Sequence, residues 1–118
     1  MACKVKLENK IILQATSGLI ETLYYEFLEE TQKKNIVMNT DLENFIDKLQ
    51  FSYLTLGGER FDIAEIITSS KNLQTIISVL ELVINNIKQE LAPFALNDLW
   101  NFYFELGKYK EELEIQGK

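Results

Sequence analysis

The chain has 118 residues, 47% hydrophobic and 25% charged, with a formal charge of −6 and a pI near 4.7. That length suits one domain, residues 1–118, with a single core, and the composition excludes wholesale disorder. The acidic balance argues against nucleic acid and anionic membrane surfaces, whose attraction rests on Lys and Arg, and favours a basic protein partner.

From the N-terminus, MACKVKLENK is charged and lacks the long apolar core of a secretory signal. Cys3, the one cysteine, excludes an intramolecular disulfide and reads as an incidental thiol near a mobile terminus. Ile12, Thr16, Leu19, Ile20, Leu23, Phe27 and Leu28 recur mostly at three- and four-residue steps, which predicts a first helix over about residues 7–32. Thr16-Ser17-Gly18 is its weak stretch, where a bend or break is expected. Residues 33–39 read as a connector. Thr40-Asp41-Leu42-Glu43 matches a capping box and opens a second helix, with Leu42, Phe45, Ile46, Leu49 and Tyr53 on one face. Gly57-Gly58 reads as its stop.

Asp62-Ile63-Ala64-Glu65 is a second possible capping box, although the alternation in RFDIAEI fits a strand equally, so residues 60–66 stay open between helix and strand. Ser69 or Ser70 caps the next helix, which carries Leu73, Ile76, Ile77, Leu80, Val83, Ile84 and Ile87 and reads as the central one. Ser78, Glu81, Asn85 and Asn86 interrupt that apolar run, against a membrane span. Pro93 marks a boundary before a final helix capped by Asn97 and closed by Gly107, with a solvated tail beyond. On that helix Trp100, Tyr103 and Phe104 share a face read as core, and Phe102 points elsewhere. The expected fold is an all-α bundle of five to six helices, from a soluble, cytoplasmic protein.

The absence of histidine removes Ser-His-acid triads, Cys-His dyads, His-containing zinc sites and Glu-x-x-His di-iron sites. One cysteine cannot build a cysteine zinc site, and no calcium-loop pattern is present. Paired carboxylates remain, as Glu26 with Glu30 and Glu43 with Asp47, each pair four apart on a helix face. No catalytic constellation accompanies them, so no enzyme, metal or cofactor is expected. The stretch ETLYYEFLEE, residues 21–30, instead carries four carboxylates and no basic residue. Residues 41–65 carry a further net −4. If the first two helices form a hairpin, Glu26, Glu29 and Glu30 come near Asp41, Glu43 and Asp47. One of Tyr24 and Tyr25 is expected beside Phe27 and Leu28, and the other among the glutamates. The candidate partner surface is therefore Tyr25, Glu26, Glu29, Glu30, Asp41, Glu43 and Asp47, an aromatic anchor ringed by carboxylates.

The segment SYLTLGGERFDIAEIITSSKNLQTIISVLELV, residues 52–83, together with the glutamate-rich first helix, resembles the all-helical immunity proteins of bacterial contact-dependent growth inhibition systems. The likeness is one of general character over most of the chain and transfers no residue role by position. It implies a non-enzymatic cytoplasmic inhibitor that binds the toxin domain of a cell-surface effector, often a nuclease with a basic cleft. A self-associating helical scaffold or phage accessory protein, forming a homo-oligomer, is the alternative. A carboxylate-dependent enzyme is a more distant one.

Overall fold

The alternation Cys3-Lys4-Val5-Lys6-Leu7 folds as a strand. In the computed structural model, which describes residues 2–55 and 60–118, β1 (Ala2–Leu7) and β2 (Lys10–Thr16) form an antiparallel hairpin. Its two-residue turn places Glu8 and Asn9 at φ of 51° and 69°. Both values are left-handed, as in the primed turns whose twist matches paired strands. β3 (Arg60–Asp62) adds to β1 in parallel, giving the order β2-β1-β3. Cys3, Val5, Leu13, Ala15 and Phe61 face the core.

The sheet overturns the all-α expectation, because the fold is mixed: three strands and five α-helices among the described residues. It also corrects the first helix. Residues 10–16 are strand, and the expected break at Thr16 is the strand-to-helix junction. The physical reason for the misreading is a β-bulge. Val5 pairs with Leu13 and Lys6 with Ile11, so Ile12 is the extra residue and both Ile12 and Leu13 are buried. Two adjacent buried residues break the period of two and mimic helical spacing. Cys3 is likewise no terminal bystander: it is buried in β1, with Sγ 3.5 Å from the Ser52 carbonyl oxygen.

The Thr16 hydroxyl accepts from the Leu19 amide at 3.1 Å and starts α1 (Ser17–Lys33), which buries Ile20, Leu23 and Phe27. After α1, Asn35 takes a left-handed φ of 51° in the turn leading to α2 (Thr40–Leu54). The cap of α2 is Asn39, whose side chain accepts from the Leu42 amide at 2.8 Å; the expected capping box at Thr40 lies one residue too late. The expected stop at Gly57-Gly58 lies outside the described residues. The open segment resolves both ways: residues 60–62 are strand, and Ile63–Ile66 form the short α3, capped by Asp62.

Ser69 caps α4 (Ser70–Ile87), and eight buried residues confirm it as the most enclosed helix. A 3-10 turn at Lys88–Glu90 leads to α5 (Pro93–Ile115), with Pro93 in its first turn, where no amide is needed. The helix therefore starts before Asn97 and passes through Gly107 to absorb the expected tail. Its inward face is also corrected. Phe102 is fully buried, Trp100 and Tyr103 are half-buried, and Phe104 is 60% exposed.

Phe45 of α2 joins the layers. Its ring lies 5.2 Å from Phe27 of α1, 6.2 Å from Phe61 of β3 and 6.4 Å from Phe102 of α5, centroid to centroid. Such aromatic contacts add to the burial energy of each ring. No described helix is long and apolar enough to cross a membrane.

Candidate functional site: the acidic face of α1

Residues four apart on a helix share a face, so Glu21, Tyr25 and Glu29 form one stripe of α1, and all three are exposed. Tyr25 is 57% exposed. Its ring lies 5.1 Å from that of half-buried Tyr24 and 6.4 Å from that of Tyr53 on α2, and Tyr24 and Tyr53 are 5.6 Å apart. The three rings hold one another and leave Tyr25 as the outermost. A hydrogen bond with Tyr25, then partial desolvation and the nearby Tyr25 and Glu21 groups, push the Tyr53 hydroxyl up to about 12. Tyr25 is the exposed member of the pair, and Tyr24 is half-buried against Tyr53 rather than fully buried.

One turn on, Glu26 and Glu30 approach the C-terminal end of α4. The Asn86 side-chain amide donates to Glu30 Oε1. Burial raises the Glu26 carboxyl above its ordinary value, the charges of Glu29, Glu30 and Glu90 raise it further, and a hydrogen bond from Asn86 offsets part of the effect. Four carboxylates thus converge between α1 and the 3-10 turn after α4. The ion pairs Lys10–Glu105, Lys108–Glu105 and Lys110–Glu114 all lie around α5, and none of them involves an α1 carboxylate.

Two of the seven sequence-derived candidates are not available to a partner. Asp41 is 0% exposed; its carboxylate accepts from the Thr68 amide at 2.8 Å and from the Thr68 hydroxyl at 2.9 and 3.0 Å. It ties the start of α2 to the segment before α4. Glu30 is 3% exposed, and its Oε2 has no hydrogen-bond partner. Tyr25 and Glu29 are exposed on α1, with Glu26 half-buried beside them, while Glu43 and Asp47 are exposed on α2. The charges raising Glu26 are those of Glu29 and Glu30 on α1 and of Glu90 just after α4.

Glu21, Tyr53, Asn86 and Glu90 are additions that sequence reasoning missed. Glu21 was legible, being four residues before Tyr25. Glu90 and Asn86 required knowing that α4 ends beside α1. The arrangement offers negative charge and an aromatic surface. Among the described residues no cluster of acidic or cysteine side chains is arranged to hold a metal ion. Comparison with protein-family models, curated proteins and solved structures gives no match to this chain.

Proposed function

We propose that the chain is a non-catalytic binding protein that inhibits a basic partner: a cytoplasmic immunity protein that neutralises a toxin domain of nuclease type. The observation that carries the reading is the exposed Glu21–Tyr25–Glu29 stripe, flanked by Glu26 and Glu90, whose carboxylates enter none of the ion pairs found among the described residues. Carboxylates there take the place of substrate phosphates in a basic cleft, and Tyr25 supplies a rigid aromatic contact among them. Glu43 and Asp47 extend the negative field over α2 and speed encounter rather than seal the contact.

Isothermal titration with the protein encoded beside this gene tests the reading. Binding weakens as salt rises, because screening shortens the reach of exposed charges. Tyr25→Ala costs about 2 kcal/mol of affinity, and Glu29→Lys slows association at low salt. Salt-independent binding overturns the electrostatic part, and absence of binding overturns the whole.

A further inference from the structure

The outer side of α5 carries a second binding feature, separate from the acidic face. This helix packs on α4 and β2, and its buried residues are Leu99, Phe102, Leu106, Tyr109 and Leu113. On the opposite side Trp100, Phe104, Gly107, Glu111 and Ile115 follow one another at steps of three and four, the spacing of a helix–helix seam. The core does not enclose the apolar members of that row. Trp100 is half-buried, Phe104 is 60% exposed and Ile115 is 86% exposed.

Beside Phe104 a hollow of about 440 Å³ opens between α5 and α4, with Ile77, Tyr103, Gly107, Lys108 and Glu111 among its walls. A Cβ added at Gly107 meets nothing within 4 Å, and Gly107 is not among the residues with a positive φ. Neither backbone conformation nor packing within the chain calls for glycine at this helix-interior position, where it weakens the helix. What it does is deepen the hollow into a notch. An exposed ring and a notch thus lie three residues apart on one helix face, which makes the face complementary to itself. Charge favours the same surface. Two copies carrying −6 each repel, but the pairs Lys10–Glu105, Lys108–Glu105 and Lys110–Glu114 compensate acids of α5.

We propose that two copies of the chain meet on this face, α5 against α5, antiparallel about a two-fold axis near Gly107. Phe104 of each copy enters the notch between Gly107 and Glu111 of the other, as a knob enters a hole in a coiled coil. Trp100 of each reaches Ile115 of the other. Lys108 follows Phe104 by one turn, so it lies beside Glu111 of the other copy, and this opposite-charge contact is made twice. Glycine at the crossing lets the two helix backbones approach closely. A contact that uses the same patch on both copies closes on itself, so the product is a dimer and not a filament. The acidic face of α1 takes no part in it.

Sedimentation equilibrium of the full chain from about 5 to 500 µM tests the proposal. A monomer–dimer equilibrium is expected, weakened about tenfold by Phe104→Ala and by Gly107→Gln. Both positions lie on the outside of α5, and circular dichroism checks that each variant keeps its helicity. Lys108→Glu alone weakens dimerisation, and adding Glu111→Lys restores it. In a mixture of labelled and unlabelled chains, isotope-filtered NMR is expected to show contacts from the Phe104 ring of one copy to the Gly107 α-protons of the other. Three results overturn the inference. They are a monomer throughout that concentration range, a dimer equally tight in Phe104→Ala and Gly107→Gln, or resonances of residues 100–111 that respond only to a second protein. The last assigns the hollow to that protein instead of to a second copy.

Discussion

Asp62 and Glu26 are both partly buried carboxylates, and their surroundings move them in opposite directions. Burial works against the charge of Asp62, but amide hydrogen bonds from Asn9, Ala64 and Glu8, with Lys6 nearby, outweigh it and hold the carboxyl below the ordinary aspartate value. Those bonds are 2.9 Å long and bind the hairpin turn to the start of α3. Glu26 meets burial and three like charges against one compensating amide. The first carboxylate is consumed by the fold. The second is left in a field that a cation would relieve, and this separates an acid that builds structure from one suited to recognition.

The largest break in that comparison is expected from the most fully consumed acid. Asp41→Ala strands the Thr68 amide and hydroxyl and lowers unfolding free energy by about 3 kcal/mol in urea titration. Asp62→Ala removes the cap of α3 and the anchor of the Glu8–Asn9 turn, and costs about 1–2 kcal/mol. Its pH signature has a definite sign. The folded value lies below the unfolded one, so the stability from Asp62 is present above the ordinary value of 3.8 and is lost as pH falls through the folded value. A urea midpoint measured against pH therefore drops more steeply in acid for the parent than for Asp62→Asn.

Glu26→Gln sharpens the other half. The folded value lies above 4.5, so the contribution of Glu26 is present below 4.5 and is lost as pH rises through the raised value. At neutral pH the substitution relieves repulsion and raises stability by a few tenths of a kcal/mol, given the solvent screening at this site. A bound cationic side chain lowers the Glu26 value, so binding of the proposed basic partner at a pH above 4.5 but within the raised titration range releases protons, measurable as buffer-dependent heat in titration calorimetry. The smallest effect is spectroscopic: Tyr53→Phe removes the tyrosine that ionises at about 12 from the ultraviolet titration, leaving the secondary structure unchanged.

What the sequence made legible was local. The buried stripes of α2 and α4 and a cap at Ser69 or Ser70 followed from spacing and side-chain chemistry, as did one exposed tyrosine of the Tyr24–Tyr25 pair. The hairpin escaped although Cys3, Val5 and Leu7 alternate with lysines, because the bulge spoiled the pattern in β2 and Glu8 is an unusual residue for a positive φ. β3 has only three residues, so the alternation in RFDIAEI left strand and helix open there rather than deciding between them. On the surface, Glu29, Glu43 and Asp47 were placed outside by pattern alone. Asp41 and Glu30 went inside because Thr68 and Asn86, distant in sequence, supply their hydrogen bonds. Such pairings exist only in the folded topology.

The place of β1 in the sheet bears on how the chain folds. The strand nearest the N-terminus is the middle one, and its parallel neighbour is synthesised dozens of residues later; Glu8 waits 54 positions for Asp62. Hairpin closure is local and fast, whereas docking β3 must first meet the entropy of closing a long loop. During synthesis the outer edge of β1 thus stays open until α1 and α2 have emerged and β3 follows them, and a deletion of the first few residues splits the sheet instead of trimming it.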